Sequence, residues 1–469
     1  MMGAAINIVP LMVHRSVPGI GPYVLPAYLL AVVPAVLAAL AYAILASAMP
    51  RAGGSYIYVS RSLSPYLGFV ASFSQWFGLS VAIGVVAYVL VPFLRDIAET
   101  LEYSGLAALI ADGPGRIIVA LVFLWTFIGV NLLGLRLYER ILVPLMVLMF
   151  LGGAVVIVAG FSFGPTDFAA AVEARDGVKI PLDGSEPFHL ATFLSASVIL
   201  FSSFIGFDAI AQAGGESRNP GRDLPLAIGI SLFFVGAFYL AFTAAVYHAI
   251  PWAYVAERAR LEDLTAPGLL GYLLSPGWTV AIVGGAAIAL VNDLPAMLLA
   301  VSRLMFAWAE DGIFPAVAKR VHPRLHTPHV AILLSGAMAT AGVVGSHLAG
   351  DFFLGIDILV TAMLVNFMLV CLSAAWISKR NPVLAGAIRV VSNGTARALI
   401  GLTGATLLGL YLVVHLWKDL HAPVDAWYFR STWIWALVMI GGSLVFAAKW
   451  HTVTADPARH RRFEELPPE

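Results

Sequence analysis

The sequence predicts an all-α polytopic membrane protein with about 12 transmembrane helices, the first of them truncated. Three observations lead there. The chain has 469 residues, of which 60% are hydrophobic and 12% charged, whereas a soluble domain carries roughly 25% charged residues. Mean hydropathy is +0.89. Apolar, uncharged runs rich in Leu, Val, Ala and Gly recur from end to end. At about 20 to 30 residues they are much longer than the ~10-residue alternating segments of a membrane β-barrel.

In chain order the apolar spans are 1–13, 23–49, 66–94, 116–135, 139–162, 190–214, 224–250, 276–308, 328–349, 352–377, 396–417 and 431–449. The first is too short, because 13 residues of helix rise about 20 Å against a hydrocarbon core of about 30 Å. The other eleven can cross. The connections 163–189 and 251–275 are too short to hold a soluble domain, and the tail 450–469 is polar and expected to be flexible. With the 50–65 loop inside, 17 of the 27 Lys and Arg residues fall on the cytoplasmic side against nine outside. With the short first span counted as a crossing or half-crossing, the positive-inside rule then places both termini in the cytoplasm and the protein in the cell membrane.

Composition also excludes functions. A net charge of zero gives no electrostatic case for nucleic acid. The single cysteine, Cys371, excludes an internal disulfide framework and a multi-cysteine metal site. His248, His347 and His415 fall near helix ends without metal-ligand spacing, so no metal or other cofactor is expected. Neither HExxH nor GxSxG is present, so an enzyme is not expected. No cleavable signal is visible at the N-terminus.

Three blocks of sequence carry a resemblance. The first is Ala46 to Tyr56 (ASAMPRAGGSY) followed by Ser64-Pro65-Tyr66-Leu67-Gly68-Phe69. The second is Phe204-Ile205-Gly206-Phe207-Asp208, then Glu216 to Pro220 and Arg222 to Pro225. The third is Ser302-Arg303-Leu304, Asp311 to Pro315, and His322-Pro323 to Thr327-Pro328. In this order and separation they resemble the amino acid–polyamine–organocation (APC) permease superfamily, over nearly the whole chain. The resemblance implies a leucine-transporter-like fold of two inverted five-helix repeats plus two accessory helices. The first repeat would be 1–162, the outer loop 163–189, the second repeat 190–377, the accessory helices 396–449 and the cytoplasmic tail 450–469.

Transporters of this kind bind substrate near the midplane, where two symmetry-related helices break. Residues 202–208 (SSFIGFD) put small polar residues, a glycine and an acid in mid-span, and irregular backbone at that depth is tolerable only where it lines a cavity. The resemblance makes Ser203, Phe204, Gly206, Phe207 and Asp208 substrate-site candidates, with Phe207 as a lid. The matching element of the first repeat is Gly3-Ala4-Ala5-Ile6-Asn7, whose amides would hold a substrate carboxylate. Ala5 stands where a second Gly is usual, and Asn7 where an apolar or aromatic residue is usual. Matching Gly3 to Gly206 leaves roughly sixteen helical residues before one and two before the other, so about fourteen upstream residues are expected to be missing. A misassigned start or a half-helix the protein lacks would each produce this.

Asp208, Asp293 and Asp357 lie within apolar spans, where an unpaired charge is costly and function is the default reading. Asp208 is read as a substrate-amine or gate contact, or as the cap of the second half-helix. Asp293, beside Pro295, is read either as the proton-coupling residue or as a structural hydrogen-bonding group. Ala296 and Met297 stand where cation-coupled relatives carry hydroxyls, so a sodium site is not supported. Asp357 is read as an outer-gate acid or a solvated helix-end acid. Gln75 and Asn131 are read as interhelical hydrogen-bonding groups. The segments Arg218–Asp223 and Arg303–Asp311 are read either as pairing across the cytoplasmic gate or as solvated loop charge. The function implied is a secondary active transporter of amino acids or related amines, a symporter coupled to H+, working by alternating access between helices 1 and 6. The alternative is a non-transporting sensor or partner-dependent subunit of the same fold.

Overall fold

A computed structural model describes residues 5–111, 113–182, 184–212, 217, 219–350, 352–424, 426–456, 463 and 465–466, with backbone alone for 5 and 135–142. Its nineteen α-helical segments are α1 (Ala5–Ser16), α2 (Val24–Ala48), α3 (Gly54–Ser62), α4 (Pro65–Thr100), α5 (Ser104–Ala111), α6 (Gly113–Leu133), α7 (Leu135–Ser162), α8 (Pro165–Asp176), α9 (Leu190–Leu200), α10 (Asp208–Gln212), α11 (Pro220–Ala249), α12 (Trp252–Arg258), α13 (Ala266–Leu270), α14 (Pro276–Glu310), α15 (His329–Ala349), α16 (Phe353–Arg380), α17 (Pro382–Gly386), α18 (Gly394–His421) and α19 (Ser431–Thr454). Among the described residues ten helices are long and apolar enough to cross a membrane.

Of the eleven expected full crossings, 190–214 is not one helix. It runs as α9 and a 3₁₀ turn (Phe201–Phe204), then breaks before α10. Three features go beyond what the sequence predicts. The connections 163–189 and 251–275 carry α8, α12 and α13, and the 50–65 loop carries α3, all of whose residues are buried. The tail is not uniformly free, because Phe463 is buried and packs 5.5 Å from the Trp450 ring.

The long helix α4 is the axis of the packing, touching α14, α15 and α16. Its 36 residues span about 54 Å at 1.5 Å per residue. Close approach depends on small residues, as expected where lipid removes the hydrophobic drive for helix association. A Cβ on Gly84 would lie 2.0 Å from the Ala339 carbonyl oxygen of α15, and one on Gly342 would lie 2.5 Å from the Val81 carbonyl oxygen. Alanine at either position therefore forces α4 and α15 apart.

Two ends of the bundle follow from the alternation of the helices. One, the α3 end, carries α3, the loop 311–328 and α17. The other, the loop end, carries the connections 163–189 and 250–275.

Candidate functional site

The site is built on the break in the helix that begins at Leu190. At Phe201–Phe204 the helix tightens to 3₁₀, and Ile205 then turns to extended backbone at φ −68°, ψ 133°. Gly206 follows at φ 138°, a left-handed value that a Cβ would make costly. Helix α10 starts two residues later with Asp208. The Gly206 amide donates to Asp208 Oδ1 at 2.9 Å, so the acid satisfies a backbone donor that the break has freed. The Gln75 side-chain amide of α4 donates to Asp208 Oδ2, while Gln75 Oε1 accepts from Ser55 of α3 and from Gln212 of α10. One glutamine thus ties the break to two neighbouring helices.

A cavity of about 250 Å³ lies against the break. The break contributes Ser203, Phe204, Gly206 and Phe207 to its wall; α11 contributes Leu232 and Val235, and α14 Ala296 and Leu299. On the opposite face of the break a smaller cavity of about 80 Å³ is lined by Ser202, by Ile8 and Val9 of α1, and by apolar residues of α4 and α16. The two serines therefore face different cavities; Ser202 Oγ has no hydrogen-bond partner among the described residues, and Ser203 Oγ has only the Tyr28 hydroxyl close by. Buried hydroxyls are normally bonded, so open ones beside a cavity are candidate ligand contacts. Aromatic rings stiffen the wall: Phe207 stacks on Phe367 at 5.1 Å and meets Tyr42 edge-on, and Phe204 lies 5.1 Å from Tyr28.

Asp208 is fully buried behind the break and is not among the cavity-lining residues. Gly3 and Ala4 lie outside the described residues, and Ala5 is described only as the first residue of α1. Ile6 and Asn7 are buried on α1, which packs against α9 and the 3₁₀ turn. They line a void of about 20 Å³ shared with Gly152, Gly285 and Ala286, roughly the space of one water molecule. Asp293 is 7% exposed on α14, which continues unbroken through Pro295. Asp357 lends its carbonyl oxygen to His415 of α18 at 3.0 Å. Asn131 donates to the Phe127 carbonyl of its own helix, so this bond lies within α6 rather than between helices. The wall residues Leu232, Val235 and Leu299 are not singled out by the sequence, and Ala296 is noted there only as a position without a hydroxyl. Their only signal is helical i, i+3 spacing, which ordinary packing shares.

Both ends of the bundle carry buried charge. At the loop end Asp263 accepts from Arg15 of α1 at 2.8 Å and from Arg116 of α6 at 2.7 Å. Burial pushes the Asp263 carboxyl up, but the Arg116 and Arg15 guanidiniums outweigh it and hold the group below its ordinary value. At the α3 end Asp311 accepts from Arg61 at 2.8 Å and from the Tyr56 hydroxyl at 2.6 Å. The Arg61 guanidinium also lies 5.3 Å from the Phe463 ring. Asp311 is thus held by α3, a pairing that the sequence alone does not reveal. Among the described residues no group of three His, Cys, Asp or Glu side chains is placed to hold a metal ion.

An apolar helix that breaks beside a cavity, inside a bundle with ten helices long and apolar enough to cross a membrane, is the arrangement of a solute-carrying membrane protein. Residues 1–444 match the family model "Amino acid permease". The chain belongs to the amino acid permease family. It is 26% identical over 419 residues to the branched-chain amino acid permease BcaP of Bacillus subtilis, covering 84% of this chain and 81% of that one. It is 25% identical over 366 residues to the low-affinity putrescine importer PlaP of Escherichia coli, covering 76% and 75%. With the human cationic amino acid transporter 4 it shares 26% over 350 residues, 72% of this chain but only 52% of that protein. The chain spans about half the length of that relative.

Proposed function

We propose that the protein is a secondary active transporter of amino acids or related amines, using alternating access around the break at residues 201–207. The observation that carries this is the cavity against the break, with the Ser203 hydroxyl in its wall. The described wall holds no charged side chain and is dominated by Phe, Ile, Leu, Val and Ala. It suits a neutral, aliphatic amino acid better than a diamine, whose second ammonium would be left unpaired at a cost of several kcal/mol. The name of the bacterial branched-chain relative points the same way.

In this reading the chain forms two inverted repeats, 1–162 and 190–377, with 396–449 as accessory helices. The α3 end faces the cytoplasm of the cell, and Asp293 carries the coupling proton. The amides at Gly3 to Ala5 hold the substrate carboxylate, with Ile6 and Asn7 beside them, and Phe207 closes over it. The Arg15–Asp263–Arg116 cluster and the narrow apolar cavity seal the loop end, so this state is closed to the outside.

Purified protein in liposomes tests the reading. Uptake of leucine, isoleucine or valine is expected, accelerated by an inward proton gradient and competed weakly by putrescine or arginine. Absence of uptake and counterflow for every amino acid and amine tried would sink it.

A further inference from the structure

A second, larger cavity of about 560 Å³ opens at the α3 end. Its walls are the end of α6, the last turns of α14, and the loop before α15. Polar and cationic groups converge there: Asn131, Ser302, Arg303, Arg324 and His326. None of its described lining residues is acidic. The sequence from Gly312 to Gly350 contains Lys319, Arg320 and Arg324 but no Asp or Glu, so the segment supplies no counter-charge of its own.

The loop is held in shape. His322 Nδ1 accepts the backbone amides of Arg324 and Leu325 at 3.3 and 3.2 Å. The His322 amide donates to the Thr327 carbonyl at 2.8 Å, and the His326 amide donates to the His322 carbonyl at 2.9 Å. Thr327 Oγ1 donates to the Leu132 carbonyl at the end of α6, 3.0 Å away. His326 itself sits at φ 54°, a left-handed value uncommon for a side-chain-bearing residue. Such backbone persists where the surroundings over-determine it, often at ligand sites. The outcome is two exposed cationic or titratable side chains, Arg324 and His326, fixed beside the cavity.

The position decides the ligand. The cavity lies where helix α6 ends, and that wall is a helix long and apolar enough to cross a membrane, with Leu133 61% exposed. Leu133, Leu299 and Ile332 give it an apolar side next to the basic one. Basic pockets between transmembrane helices bind anionic headgroups. We propose that this chamber is a binding site for the phosphate headgroup of an anionic phospholipid, with Arg324 on the phosphate, Ser302 and Asn131 on the glycerol hydroxyls, and the leucines against the first acyl carbons. The site is separate from the transport cavity, although Leu299 lines both. Occupancy of the chamber therefore bears on one wall of the transport site.

The test is thermal unfolding of the full chain in nanodiscs of phosphatidylcholine with increasing phosphatidylglycerol, and in detergent with inorganic phosphate. Phosphatidylglycerol is expected to raise the melting temperature saturably. R324Q is expected to weaken that dependence about fivefold, the equivalent of one basic group near an anionic surface. R324K, which keeps the charge, is expected to retain most of it, and it shows that loss in R324Q is not misfolding. Three results would overturn the site: no dependence on phosphatidylglycerol, the same dependence in R324Q, or a response that inorganic phosphate alone saturates. R324Q that binds lipid normally but shows altered substrate KM on the cytoplasmic side would make the chamber a substrate vestibule instead. Since lipid binding is read without transport, failure here leaves the transport reading standing.

Discussion

The Gly206 amide and the Asp208 carboxylate meet at 2.9 Å across a single intervening residue, and that contact holds the helix break open. Gly206 supplies the left-handed backbone, and Asp208 supplies the acceptor the broken helix lacks. Gln75 then fixes the carboxylate from the side. The two residues therefore act as one element, and substituting either one is expected to damage both fold and transport.

Asp208→Ala leaves the Gly206 N–H and the Gln75 amide without their acceptor in a fully buried setting. The expected loss is about 1–3 kcal/mol for each stranded donor. Gly206→Ala forces a Cβ into φ 138°, at about 1–3 kcal/mol of strain. Both variants are expected to melt earlier in detergent and to carry substrate near background. Asp208→Asn keeps one acceptor oxygen and should fall between Asp208→Ala and the wild type. Wild-type melting and uptake in Asp208→Ala would show that the cap is dispensable.

The break is legible in the amino-acid sequence, because serines, a glycine and an acid in the middle of an apolar span have few explanations in a bilayer. The cavity beside it is not. Leu232, Val235, Ala296 and Leu299 are the residues any packed helix would carry, and only the placement of α11 and α14 turns them into a wall. The Arg61–Asp311 pair spans 250 residues of sequence, so nothing local announces it. The same holds for Phe463, which a polar tail conceals and Trp450 buries.

Filling the cavity separates transport from stability. Ala296 lines the roughly 250 Å³ space from α14 and is only partly buried. Ala296→Phe places a ring in open volume, so the usual overpacking cost of about 1–3 kcal/mol is expected to be largely avoided. Melting should stay near that of the wild type while uptake falls to background. Uptake that persists at the wild-type rate would move the substrate path elsewhere.

The loop-end cluster gives a pH dependence with a definite sign. The Asp263 pKa is lowered by Arg116 and Arg15 against the opposing effect of burial. A depressed carboxyl contributes stability that is fully present above its unfolded value of about 3.9 and is lost as pH falls through the lower folded value. Across pH 5 to 8 the cluster is therefore constant, and it weakens only in strong acid. Asp263→Asn should remove that acid-dependent component and leave two guanidiniums uncompensated. The Asp263 side chain is 11% exposed, and those of Arg15 and Arg116 are 20% and 9% exposed, so the cost is discounted from the ~3–5 kcal/mol of a fully buried pair. Cysteines introduced beside Ile8 or Phe352 should then react faster with a polar thiol reagent from the loop end, because the seal there has lost its charged clasp. Unchanged labelling would mean that the apolar contacts alone keep that end shut.

Asp293 provides the sharpest separation between coupling and architecture. It is nearly buried on an unbroken helix, yet it does not line the transport cavity, so its removal need not disturb substrate contacts. Asparagine keeps its shape and most of its hydrogen-bonding capacity but cannot cycle a proton. If Asp293 carries the coupling proton, Asp293→Asn should bind substrate and exchange it by counterflow at close to the wild-type rate, while a pH gradient no longer drives accumulation. If the residue is a structural hydrogen-bonding group, counterflow and driven uptake should fall together, or neither should change. Measuring both in the same liposomes decides between them, because only the first outcome splits two quantities that share every step except proton transfer.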